Sequence, residues 1–548
     1  MTPVVSGWVT VVTNRLAPPN PFTPVRFPGP VPTARTRSAF ASADHARELS
    51  TVGVIDVGSN TARFVVFETS TGGIVRPVFE TKESPRLGLE PAADGSLSEA
   101  AIARGVHAVR RFGRTVKQLG VRKVIGVATS AARDAPNGPA FVEEVERATS
   151  VRLKILSGTE EARYAYLGVA GTLELRNDLV CDLGGGSLQL AEVRDGALRN
   201  SVSLPLGALR LSRRFLEHDP PKRREREQLR EHARSAIRSA VEAFGGHHDR
   251  LVAVGGTVRA LARASIDLTE FPVRRVHGYR LYDRAIEAMD ELLGEMPANK
   301  RKAIPGIGSD RADVVLAGIT VFEELERALG VDHVLVSGAG IREGIALEAI
   351  RARLPTSAEE LVDRSVATAS TTFGFDLERA REVADTADRL FGLLAGRYGW
   401  GRSERLALRA AAGMHDAGIS VDLWNHPSHS AYLLRNYPIW GLDQREILLA
   451  SMAAYLHDGD EAPSAWKKRY LPLAGSPEVE TAVRLGAILE VAKTVASPKT
   501  LLSLASGGQR LAVAFSSGAD VALPSRWQEK VRKAMQRVFD LEVKVRDG

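Results

Sequence analysis

The chain has 548 residues, 44% of them hydrophobic and 25% charged, with a formal net charge of +7 and one cysteine, Cys181. That length exceeds what one hydrophobic core supports, so three or four domains are expected, and the composition is that of an ordinary globular protein rather than a disordered or fibrous one. The lone cysteine excludes an internal disulfide and a cysteine zinc site, no run nears the roughly 18 apolar residues of a membrane helix, and a cytoplasmic home is the simpler reading.

The basic balance suits a polyanionic partner, whether nucleic acid, anionic lipid or a phosphorylated small molecule or polymer, although an arginine-rich proteome gives the same sign. Residues 1–50 are proline-rich ("RLAPPNPFTPVRFPGPVPTARTR") and lack periodicity, which predicts a disordered or extended N-terminal extension; they lack the charged and apolar regions of a signal peptide. "TVGVIDVGSNTARFVVFET" then reads as strand, tight turn, strand. "SEAAIARGVHAVRRFGRTVKQLG" and "GPAFVEEVERATS" have helical spacing, with "KVIGVATSAARD" as a strand and turn between them. "SGTEEARYAYLGV" opens a helix with a cap and acidic first turn.

"LVCDLGGGSLQLAEVRDG" repeats the strand–turn–strand device, and "LVAVGGTVRALARA" and "HVLVSGAGIREGIALEAI" run from strand through glycine turn into helix. Strands alternating with helices predict α/β layers, and the duplicated hairpin predicts two related lobes, 51–178 and 179–350, facing a cleft. Residues 351–500 read as nearly all helix and 501–548 as a small α/β segment, with 510–545 as two strands, a helix and a strand.

The two hairpin turns share one pattern, Asp56-Val57-Gly58-Ser59 and Asp182-Leu183-Gly184-Gly185. Glycine removes Cβ and allows positive φ, so successive backbone N–H groups converge on an anion, and the preceding aspartate can hold a hard cation that bridges phosphate oxygens. One such turn alone reads as a tight hairpin; two facing each other read as a grip on a chain of phosphates. There is no G-x-x-x-x-G-K-[ST] phosphate loop, and "SGAGIREG" misses the dinucleotide spacing.

Taken in order, "GVIDVGSNTARFVVFE", "GVATSAARDAPNG", "SGTEEARYAYLGV", "CDLGGGSLQL", "LPLGALRL", "VAVGGTVRALA", "RADVVLAGITVFEEL" and "VLVSGAGIREGI" resemble the exopolyphosphatase / guanosine pentaphosphate phosphohydrolase family, of the actin-like, sugar-kinase and Hsp70 ATPase superfamily. The resemblance implies an α/β fold of two actin-like (ribonuclease H-like) lobes, followed by an all-α HD-like domain and the small C-terminal segment. It implies Mg²⁺-assisted water attack on a terminal phosphate of polyphosphate or pppGpp, and it accommodates a homodimer. Glu161 matches the family base, with Glu160 the alternative, and Arg133 the arginine that contacts phosphate. Asp56 and Asp182 match the metal positions; Gly58, Ser59, Asn60, Gly184, Gly185, Gly186 and Ser187 match the phosphate loops, and Gly255, Gly256 and Thr257 a further loop. The family's GGGS-x-E ends here in Gln189, an amide that brings no charge and serves as no base. That departure implies slower turnover or a higher Mg²⁺ requirement; it also motivates a binding-only polyphosphate or alarmone sensor as the rival reading, ahead of an actin-like kinase.

In the helical region His415-Asp416, with His426 and His429, suggests an HD-type metal site. Arg379 and Lys493 stand where its remaining ligands belong, and both would repel a divalent cation, so a structural or substrate-channel role is expected there. His457-Asp458 reads as a helix end. The basic run from Arg210 to Arg238 reads as a solvated helix with i,i+4 pairs rather than a polyphosphate or RNA track, and it lacks the interleaved aromatics that single-stranded nucleic acid would use.

Overall fold

Alternating Val, Ile and Phe drive β1 (Ser50–Val57) and β2 (Ala62–Thr69) into an antiparallel hairpin in which Val54 faces Val65 and Asp56 faces Arg63. The computed structural model describes residues 50–546 apart from 70–72, 90–91, 458–463, 498–499, 505–509 and 516–524. The proline-rich stretch 1–49 and Asp458 therefore lie outside the described residues.

With β3 (Val75–Glu83), β4 (Lys123–Ala128) and β5 (Leu153–Ile155), the hairpin builds a sheet of order β3-β2-β1-β4-β5, in which β4 and β5 run parallel to β1. The next hairpin repeats the plan. β6 (Asp178–Leu183), β7 (Leu188–Arg194) and β8 (Ala197–Leu204) run antiparallel, while β9 (Arg250–Gly255) and β11 (His333–Val336) extend the sheet in parallel. An antiparallel edge strand, β10 (Tyr279–Tyr282), completes the order β10-β11-β9-β6-β7-β8. Each sheet thus places an Asp-to-glycine turn at the end of its central strand, where ligands of α/β folds bind.

Helices cover both sheets. On the first, α1 (Glu99–Leu119), α2 (Ser130–Asp134) and α3 (Gly138–Thr149) enclose a core containing Phe64, Phe112 and Phe141. α4 (Gly158–Ala170) precedes the second sheet in sequence and packs on it, through Ala162, Ala165 and Val169 against Val180 and Val252. The opposite face of that sheet carries α5 (Ala208–Phe215), α6 (Arg223–Phe244), α7 (Gly256–Leu268), α8 (Asp283–Gly294), the short α9 (Ala298–Arg301) and α10 (Val315–Leu329). α11 (Ile341–Ala349) follows β11 but returns to the first sheet, where Ile345 and Leu347 meet Val52 and Phe67. The exchange of α4 and α11 ties the two halves together.

The basic run is a solvated face only in part: Arg213, Arg214, Lys222, Arg223, Arg224 and Arg238 are exposed. Arg223 and Glu227 form one i,i+4 pair, at 2.8 Å, but Arg226 pairs with Asp290, Arg230 with Glu323 at 2.9 Å and Arg234 with Glu324 at 2.9 Å. Glu323 and Glu324 are buried on α10, and burying such carboxylates without cations would be prohibitively costly.

Helices α12 (Ala358–Phe373), α13 (Leu377–Tyr398), α14 (Arg402–Met414), α15 (His426–Asn436), α16 (Gln444–Leu456) and α17 (Ser464–Val495) enclose a separate alanine-rich core. It is joined to the α/β part by Glu174, which pairs with Arg402 and accepts the Ala358 N–H at 2.9 Å, and by Arg280–Asp443 at 2.6 Å. The chain closes with a sheet of β12 (Thr500–Leu504), β13 (Arg510–Phe515) and β14 (Glu542–Arg546) on α18 (Ser525–Phe539). β12 precedes the stretch read above as two strands, a helix and a strand; the second strand expected in that stretch falls within 516–524, outside the described residues. No helix among the described residues is long and apolar enough to cross a membrane.

Candidate active site

The two hairpin turns close identically: Gly58 N–H donates to Thr61 O and Gly184 N–H to Ser187 O, each at 3.0 Å. They meet face to face across the cleft. A Cβ on Gly186 would lie 2.5 Å from Ser130 Oγ and 2.6 Å from Ser59 Oγ, so only glycine lets the second turn seat against the first. Ser59 and Ser130 hydroxyls bond to each other at 2.8 Å behind that contact. The third turn, between β9 and α7, needs glycine for its backbone: Gly255 has φ of +105°, and a Cβ there would lie 2.5 Å from Leu183 O.

One pocket collects these turns. Asp56, Gly58, Ser59, Asn60, Gly184, Gly185, Ser187, Gly255, Gly256 and Thr257 line it together with Asp182 and Glu161. Gly186 instead lies behind the wall, its carbonyl accepting from Arg210 Nε at 2.8 Å. Neither Asp56 nor Asp182 takes a hydrogen bond or ion pair from any described residue. Burial raises the Asp56 pKa, and Glu343 adds to this while Arg342 and Arg63 oppose it. Burial also pushes Asp182 up to about 6, with Asp56 contributing and Arg259 opposing. Two carboxylates that share a pocket, are both pushed up by burial and leave their oxygens unpaired suit a hard divalent cation, which offsets their charge and accepts oxygen ligands.

Glu160 and Glu161 separate cleanly. Ser157 caps α4 in a capping box: its hydroxyl accepts from Glu160 N, and Glu160 Oε2 accepts Ser157 N–H at 2.9 Å. Glu160 also pairs with Lys154 and does not line the pocket. Glu161, one residue and about 100° further round the helix, is 3% exposed and faces the pocket. Arg133 lies against Glu161 rather than in the pocket lining. Its Nη1 donates to Glu161 Oε1 and, at 3.3 Å, to Leu156 O, while its Nε pairs with Asp134 at 3.2 Å.

Four arginines that lie within the quoted stretches, though not named above as site residues, also line the pocket: Arg63, Arg259, Arg311 and Arg342. Arg63 faces Asp56 in the hairpin register and pairs with Glu80. Burial acts to raise the Glu80 pKa, but Arg63 and Arg342 overcome it and hold Glu80 below its usual value. Arg259 sits in the first turn of α7 and donates to Gly338 O at 3.0 Å; burial, with Arg342 and Arg63 adding, brings it down to about 9. Arg311 lies over Gly256, and burial lowers its pKa too. So many guanidiniums around two carboxylates create a strong preference for a polyanion that arrives with a cation.

Gln189 is 2% exposed, lines the pocket and faces Asp182 across the β6–β7 register. Its Nε2 donates to Ser187 Oγ at 2.7 Å and Ser203 Oγ at 3.1 Å. A glutamate there would accept from the same hydroxyls, so the amide changes the charge of the site and not its packing.

A duplicated five-strand plan, joined by crossing helices and pinched around paired Asp-to-glycine turns, defines an actin-like protein built to grip phosphates. Residues 65–352 match the Ppx/GppA phosphatase family and 362–519 match domain III of Ppx/GppA phosphatases, and the chain belongs to that family. It is 32% identical over 305 residues to exopolyphosphatase 1 of Mycobacterium tuberculosis, covering 54% of this chain and 87% of that protein. Over 505 residues it is 27% identical to the guanosine-5'-triphosphate,3'-diphosphate pyrophosphatase of Aeromonas hydrophila, covering 89% and 95%. An exopolyphosphatase structure from Cytophaga hutchinsonii shares the fold, with a TM-score of 0.52 at 22% identity over 56% of this chain and 99% of that one.

Proposed function

We propose that the chain is a phosphoanhydride hydrolase that releases the terminal phosphate of inorganic polyphosphate or pppGpp by water attack, with Mg²⁺ as its divalent cation. The observation that carries this reading is the convergence on one pocket of a buried glutamate, two unpaired aspartates, three glycine turns and four arginines. Glu161, oriented by Arg133, accepts the proton of the attacking water. The water oxygen bonds to the terminal phosphorus as the anhydride P–O bond breaks, and the bond's electron pair leaves on the shortened chain. Backbone N–H groups of the turns, with Arg63, Arg259, Arg311 and Arg342, hold the phosphate oxygens and offset the charge of the transition state. Asp56 and Asp182 would hold the cation, which supplies further neutralisation of phosphate oxygens.

The binding-only reading rests on Gln189 alone, and Glu161 is retained and faces the pocket, so hydrolysis is preferred. Phosphate release from long polyphosphate, pppGpp and ATP, measured side by side across Mg²⁺ concentrations, tests the proposal. Repeated Mg²⁺-dependent turnover of either of the first two substrates supports it; tight binding of both without phosphate release refutes it.

A further inference from the structure

Away from the pocket, the ends of four helices bring His415, Asp416, His426 and His457 around the ammonium of Lys493. Each imidazole is held the same way. Nδ1 lies 2.7 Å from Ala412 O for His415, 2.9 Å from Leu423 O for His426 and 2.7 Å from Ala454 O for His457. A carbonyl only accepts, so Nδ1 carries a proton in each ring, and the Nε2 atoms of His426 and His457 present lone pairs to the ammonium. Lys493 Nζ lies 3.3 Å from His426 Nε2, 3.4 Å from His457 Nε2 and 3.9 Å from Asp416 Oδ1. His415 is 1% exposed, and its buried Nε2 faces the Asp416 carboxylate, 3.2 Å from Oδ2. His429 turns away to pack its Cβ on Gly418. Arg379 also stays out of the cluster, donating to Lys493 O at 2.7 Å and Ala496 O at 2.8 Å at the end of α17.

Three imidazole Nε2 atoms and a carboxylate, brought together from the ends of three helices, are the ligand types of a first-row transition metal, with each ring oriented by a backbone carbonyl as metal-binding histidines are. The centre already holds a cation of the chain's own. We propose that this cluster is a divalent-metal site in which the Lys493 ammonium stands in the metal's place, so that the helical domain keeps its polar centre paired without a metal. The spacing agrees: ammonium-to-nitrogen distances of 3.3 and 3.4 Å exceed a metal–nitrogen bond of about 2 Å, so the donors stand further apart than a metal would draw them. An aspartate at this position, adding a metal–oxygen bond of about 2 Å, spans nearly the reach of the lysine stem.

The test uses the full chain with Asp182→Asn, which removes the active-site aspartate from competition for metal. Lys493→Asp and Lys493→Ala are each made in this background and titrated with Co²⁺. Both are expected to take up one equivalent more than the parent, with the visible bands of a low-symmetry nitrogen–oxygen site, and a further His457→Ala substitution is expected to abolish those bands. Should the substituted chains melt early without metal, Zn²⁺ must raise their Tm and leave the parent's Tm unchanged. Folded variants without the extra equivalent, early-melting variants that Zn²⁺ does not rescue, or an identical Co²⁺ spectrum in the parent would each overturn the proposal.

Discussion

Gln189→Glu restores a carboxylate directly across the strand pair from Asp182. Cross-strand partners have Cβ atoms about 5 Å apart, and two like charges at that separation repel by about 3 kcal/mol at an effective dielectric near 20. One pKa unit corresponds to about 1.4 kcal/mol, so the new charge moves the pair upward by about two units. Asp182 already stands at about 6. Without a cation, the pair therefore retains a proton into mildly alkaline solution; a divalent cation displaces it and gains a third carboxylate neighbour. Initial rates of phosphate release across Mg²⁺ concentrations should show half-saturation falling at least tenfold at pH 8.5. The gain should shrink at pH 6.5, where the proton competes. An unchanged Mg²⁺ dependence and unchanged turnover at both pH values would refute the placement of residue 189 beside the cation.

Asp182 also links stability to pH. Its folded pKa of about 6 lies above the ordinary 3.8, so the folded state binds the extra proton between them. The stabilisation is present at low pH and is lost as pH rises through that window, by about 3 kcal/mol when complete. Mg²⁺ should therefore raise Tm more at pH 8 than at pH 4.5 in thermal melts, and an equal rise at both would contradict the assignment. Gly186→Ala drives a methyl into the Ser59 and Ser130 hydroxyls; phosphate release should collapse while circular dichroism retains the helical signal. Arg230→Met leaves Glu323 short of its nearest cation and should cost about 2 kcal/mol in urea melts, whereas a solvated arginine would cost almost nothing.

The parts of the fold legible in the sequence are those where local chemistry and tertiary need coincide. Asp56 and Asp182, each at a strand end before glycine, announced both hairpins and the turns that face one another. Glu161 was singled out by the resemblance of "SGTEEARYAYLGV" to the family, and the turn of the helix set it apart from Glu160. The arginines of the pocket were not. Arg63, Arg259, Arg311 and Arg342 lie on a strand, a helix, a loop and another helix, and only the crossing of chain segments assembles them; the available signal was that each falls within a stretch carrying the family resemblance, and that the hairpin register sets Arg63 opposite Asp56. The same limit hid the α6 ion pairs, since nothing in the spacing of Arg226, Arg230 and Arg234 discloses that Glu323 and Glu324 lie buried beneath them. His457 likewise read as a helix end, which it is, while its role in the Lys493 cluster depends on three other helices.

Glu161→Gln is the most direct test of the catalytic assignment. The amide preserves size and leaves the glycine turns and the four arginines lining the pocket untouched, so polyphosphate binding should persist. Single-turnover phosphate release at saturating Mg²⁺ should slow by about 10²- to 10⁴-fold, the usual contribution of a positioned general base. Release at the parent rate would contradict the assignment of Glu161 as the group that takes the proton from water.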